Sequence, residues 1–115
     1  MAGSKAVYTE GPDSTFTHMG TMYSVDQLLS LTRDLEVTQL SLDKLKWMVE
    51  EDFDIKRVRA ADTSVPVLVY RLPNRNWVTL DGYHRVVKAI RLDKLKSIPA
   101  KIVTDKLFQQ LTPLS

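Results

Sequence analysis

Trp77-Val78-Thr79-Leu80-Asp81-Gly82-Tyr83-His84-Arg85 is the stretch from which the rest of the chain is read. Its first four residues are aromatic, β-branched or leucine, and read as a strand. Asp81-Gly82-Tyr83 reads as a turn. From His84 to about Leu92 the apolar residues Val86, Val87, Ala89 and Ile90 recur at helical spacing, with Arg85, Lys88 and Arg91 on the opposite face. A strand, a glycine turn and a helix start in that order make an anion site. The first N–H groups of a helix point outward and carry the positive end of its dipole. Gly82 permits close approach to the backbone, and His84 and Arg85 add donors, the arginine in a bidentate fork. A plain Asp-Gly turn followed by a solvated arginine is the bland alternative.

Upstream, Val65-Pro66-Val67-Leu68-Val69-Tyr70 is a strand with its proline near the start. Pro73-Asn74-Arg75-Asn76 is a turn, so the Trp77 strand returns antiparallel as a hairpin. Downstream, Ile98 to Thr104 is a further strand, placed by the intervening helix parallel to the Trp77 strand as a crossover. A last short helix, capped by Thr104, runs from Asp105 to about Leu111 and stops before Pro113. In the first half, Ser24 and Gln27 form a capping box for a helix from about Val25 to Leu31. Thr32 to Thr38 is a loop. Ser41 caps a second helix with Leu42, Leu45, Met48 and Val49 on one face. Trp47 lies on its flank, and Lys44, Lys46, Glu50 and Glu51 face away. Asp52 to Ser64 mixes acids and bases and reads as a loop. Residues 1–20 are an arm or a pair of short edge strands, Ala6 to Thr9 and Thr15 to His18, and residues 21–115 are the domain. The expected fold is a small α/β (α+β) domain with a mixed sheet and packed helices.

The chain has 115 residues, the size of one domain, with 43% hydrophobic and 26% charged residues. Sixteen basic and fourteen acidic residues leave a net charge of +2, so the global balance makes no case for nucleic acid. There is no cysteine, which excludes a disulfide scaffold, a cysteine zinc site and a thiol nucleophile. No apolar run approaches the length of a membrane span, and no signal core shows at the N-terminus. A cytoplasmic protein without a membrane partner is expected. His18 has no carboxylate or histidine at ligand spacing and reads as a surface residue.

The run from Val65 to Val103, and more loosely from Tyr23, resembles the ParB/sulfiredoxin superfamily. The resemblance rests on the hairpin, on Leu80-Asp81-Gly82-Tyr83-His84-Arg85 and on the strand that enters through Ile98-Pro99. Sulfiredoxin-like members carry a reactive cysteine where Tyr83 stands, so sulfinic-acid repair is excluded. Chromosome-partition members have Gly-Glu-Arg-Arg-like turns and bind CTP. The Asp-Gly-x-His-Arg branch, which includes free serine kinase-like proteins, is the nearest. That resemblance implies a nucleotide (ATP or ADP, with Mg²⁺) held through its phosphates by Gly82, Tyr83, His84 and Arg85. It also implies a carboxylate base from the N-terminal half, because deprotonating an alcohol requires one. Gln39 falls near the family's glutamate position, which leaves Glu36 or Asp26 as the substitute. Asp81 is a second catalytic candidate and the candidate Mg²⁺ ligand; its bland role is a turn hydrogen bond.

Three functions follow as expectations. The first is an ATP- or ADP-dependent phosphotransferase or nucleotide hydrolase, with Asp81 and Glu36 as catalytic residues. The second is a DNA-binding module that uses the basic row Lys88, Arg91, Lys94 and Lys96, a row for which a solvated helix face is the commoner explanation. The third is a non-catalytic domain used for protein contact or regulation.

Overall fold

The structure, a computed structural model, describes residues 15–49 and 53–114. The strand expected over Ala6 to Thr9, and the placement of Glu50 and Glu51, lie outside them. Phe16 and Tyr23 stack across an antiparallel hairpin of β1 (Thr15–His18) and β2 (Thr21–Ser24), with ring centroids 5.4 Å apart. Phe16 is fully buried, so this hairpin is part of the core rather than an appendage. Ser24 then caps α1 (Val25–Leu31), its hydroxyl accepting from Gln27 N at 3.2 Å.

The second helix expected from Ser41 does not form as an α-helix. Thr38–Ser41 is a strand, β3, and two 3₁₀ turns follow, Leu42–Lys44 and Lys46–Met48. The reason lies in the spacing. Leu42, Leu45 and Met48 are three residues apart and all buried, and a 3₁₀ turn eclipses positions i and i+3 where an α-helix would rotate them off the face. Ser41 still caps, accepting from Asp43 N at 3.3 Å. The segment read as a loop from Asp52 to Ser64 contains α2 (Ile55–Ala60), capped by Asp54 and held to the core by Val58.

The main sheet is four-stranded, in the order β3–β6–β4–β5, with β4 at Val67–Arg71, β5 at Trp77–Asp81 and β6 at Ser97–Val103. The hairpin β4–β5 is antiparallel as the sequence predicts. The crossover differs. The helical segment after β5 carries the chain over β4, so β6 pairs parallel with β4 and not with the Trp77 strand. β3 closes the far edge antiparallel to β6. That helical segment is α-helical only over Tyr83–Val87 (α3). It widens over Lys88–Leu92 into a π-turn, closed by Asp93 N donating to Lys88 O at 2.9 Å. Val86, Val87 and Ala89 are buried beneath it, and Ile90 is half-buried. The last helix, α4 (Asp105–Phe108), is shorter than expected and is capped by Thr104. No helix among the described residues is long and apolar enough to cross a membrane.

Candidate functional site

β5 ends in a bulge. Leu68 of β4 faces Asp81 while its neighbour Val69 faces Thr79, so Leu80 is the extra residue. A bulge bends and re-aims the strand end, and here it delivers Asp81 and Gly82 to the mouth of a cleft of about 510 Å³. Arg57, Ala60, Ala61 and Asp62 line one wall, from α2 and the loop after it. Asp81, Gly82, His84 and Arg85 line the other. The walls are fastened together by Lys88, whose ammonium donates to the carbonyls of Arg59 at 3.1 Å and Ala61 at 2.8 Å, at the C-terminal end of α2.

Gly82 is required here by two constraints. Its φ is 103°, which side-chain-bearing residues rarely adopt, and a Cβ would stand 2.6 Å from Val67 Cγ1. The close approach that needs glycine is therefore to β4 as well as to any ligand. The helix ladder opens with Val86 N donating to Gly82 O at 3.1 Å, so the N–H groups of Tyr83, His84 and Arg85 precede it at the positive end of the helix.

Arg85 is held on three sides. Nη1 donates to Pro66 O at 2.6 Å and to Val65 O at 3.2 Å, and Nη2 donates to Asp81 Oδ2 at 3.2 Å. A guanidinium has five N–H donors, so two are left for a ligand after these three bonds. Asp81 is ion-paired to it, with both side chains more than four-fifths buried. Asp62 is turned inward on its own loop. The Ser64 hydroxyl at 2.6 Å, and then the Ser64 N–H at 3.0 Å, hold its carboxyl below the usual range, so it stays ionised. The cleft thus carries two arginines, Arg57 and Arg85, against two aspartates, Asp62 and Asp81.

The structure brings Asp81, Gly82, His84 and Arg85 together as the sequence predicts, with Tyr83 beside them in edge contact with the His84 ring at 5.9 Å. It does not bring Glu36 to them. Glu36 is exposed in the loop before β3, at the opposite edge of the sheet from β5. Three strand spacings, roughly 14 Å, separate those edges. Gln39 sits on β3 and accepts from the Ser97 hydroxyl at 3.1 Å.

The basic row divides. Lys88 is withdrawn into its two carbonyl bonds and is not part of an open face. Arg91, Lys94 and Lys96 are exposed and line a separate groove of about 520 Å³ with Lys46. Arg57 and Asp62 are the cleft residues the sequence reading missed. The Asp54 cap ahead of Ile55 is the local sign of a helix over this segment, on which the exposed Arg57 borders the cleft. No group of three or more histidine, aspartate or glutamate residues that could hold a metal ion occurs among the described residues.

No family model, curated protein or solved structure gives a significant match to this chain. The resemblance carried by Asp81 to Arg85 and Ile98-Pro99 accordingly contributes an expectation, and the geometry contributes the rest.

Proposed function

We propose that the cleft between α2 and α3 binds a nucleotide, ATP or ADP, through its phosphates. One observation carries the reading. Arg57 and the already oriented Arg85 face the same cleft as the glycine-led helix start and His84, and its volume lies within the roughly 300–1,000 Å³ of small-molecule sites. An arginine fixed before the ligand arrives loses less entropy on binding. The charge balance supports Mg²⁺ arriving with the nucleotide, because Asp62 and Asp81 offer one or two carboxylates and the phosphates would complete the shell. A base for phosphoryl transfer would come from these two carboxylates rather than from Glu36. A cytoplasmic location fits a nucleotide ligand.

Calorimetric titration of ATP, ADP and CTP, with and without Mg²⁺, tests the proposal. Arg57→Ala is the informative variant, since the Arg57 side chain makes no hydrogen bond or ion pair among the described residues. Loss of one charge-assisted contact weakens binding by about tenfold or more. Equal affinity in the wild type and Arg57→Ala, or no binding of any of the three, overturns it.

A further inference from the structure

The opposite end of the β4–β5 hairpin carries a second surface with different chemistry. Trp47, and Trp77 half-buried against the core, line it together. The indole N–H of Trp47 donates to Trp77 O at 2.8 Å, which fixes the ring while 48% of the residue stays exposed. Two shallow depressions, of about 540 and 310 Å³, flank Trp77 and share Arg71, Arg75 and Trp77 in their linings. The second also takes in Trp47 and Lys44. Each depression also has one aspartate in its lining, and both are engaged. Asp43 pairs with Lys46 at 2.9 Å, and Asp105 accepts from the Tyr70 hydroxyl at 2.5 Å. Arg71 and Arg75 have no side-chain hydrogen bond or ion pair among the described residues.

The turn itself points the same way. Arg75 N donates to Leu72 O at 2.8 Å and Leu72 N to Asn76 O at 2.7 Å, a tight turn that puts Arg75 at φ 75°. Glycine or asparagine is the ordinary occupant of such a position. An arginine held there at a conformational cost is a reason to look for what its side chain does.

We propose that this hairpin tip is a binding surface for single-stranded nucleic acid. Trp47 and Trp77 are the stacking platform, and Lys44, Arg71 and Arg75 contact successive phosphates. Fixed aromatic faces interleaved with uncommitted cations suit unpaired bases on a charged backbone, because every base has a stacking face and a duplex hides it. Two depressions joined through shared residues suit a ligand that is long and thin.

These are the chain's only two tryptophans, so intrinsic fluorescence reads this surface directly. Titrating the full chain with a twelve-nucleotide oligo-dT should quench it. With three phosphate contacts the affinity falls with a log–log salt slope of about −2, roughly twentyfold between 50 and 200 mM salt. Arg75→Gly should weaken binding several-fold and make the slope shallower by about 0.7. The same substitution should leave the urea midpoint unchanged or higher, since glycine suits the turn. Arg57→Ala, in the other cleft, should leave the oligonucleotide titration unchanged. Absence of quenching at 50 mM salt overturns the proposal. So does equal quenching by poly-glutamate or by duplex DNA. A slope that ignores Arg75→Gly but responds to Lys94→Gln moves the nucleic acid to the groove at Lys46 and Arg91, and also overturns it.

Discussion

The two ends of the β4–β5 hairpin use charge in opposite ways. At the Asp81 end the arginine is anchored by the fold: Arg85 ties Val65, Pro66 and Asp81 together, and the cleft's cations and carboxylates balance. At the Arg75 end the acids are engaged with neighbours while the arginines project from the surface. The difference separates a recess with fixed geometry and little net field from an exposed surface with net field and side chains free to adapt. A built recess suits a small ligand that brings its own cation, and an open charged face suits a flexible polyanion.

Four substitutions and one condition, alkaline pH, break or sharpen this contrast. The largest effect is expected from Gly82→Val. A β-branched residue at φ 103° meets Val67 at 2.6 Å, and strain plus overpacking should cost about 3 kcal/mol or more, read as a fall in the urea midpoint. A variant as stable as wild type would mean that the turn is not held against β4. Next comes Arg85→Ala, which strips partners from two carbonyls and a carboxylate and should cost about 2–3 kcal/mol. Arg75→Gly at the other end should cost nothing. Similar losses at both ends would erase the distinction between an arginine anchored by the fold and one that is uncommitted.

The smallest effect concerns the tip's anchor and appears only in alkali. The hydrogen bond to Asp105 pushes the Tyr70 hydroxyl up to about 12. An acid whose folded value is raised stays neutral while the unfolded chain ionises. The contribution of Tyr70 to stability should therefore fall as pH rises from about 10 toward 12, and be constant below that window. Tyr70→Phe should flatten that limb in pH-dependent urea titrations; an unchanged slope would show that another group titrates there.

What the chain discloses on inspection is local. The hairpin, the caps Ser24, Ser41 and Thr104, and the buried face Val86, Val87 and Ala89 follow from alternation, capping chemistry and helical spacing. The 3₁₀ turns were legible in principle, since Leu42, Leu45 and Met48 repeat at three and not at 3.6. α2 was hidden because its six residues bury one side chain, Val58, which makes no visible stripe. The site divides along the same line. Asp81, Gly82, His84 and Arg85 sit together because they are neighbours in sequence. Arg57, Asp62 and the role of Lys88 depend on α2 docking against α3, a tertiary event across about thirty residues. Glu36 lies apart for the converse reason: strand order, not spacing along the chain, sets its distance from Asp81.

The position of β6 between β3 and β4 has a consequence in time. A ribosome releases β3 early, yet its partner residues Ser97 to Ala100 emerge about sixty residues later. At common synthesis rates that is a wait of roughly 3–12 s. The hairpin β4–β5 can zip as soon as it appears, but it has nothing to join β3 to until the last strand slots in. During that interval β3 is an unpaired edge on a nascent chain, exposed to whatever else in the cell will pair with it.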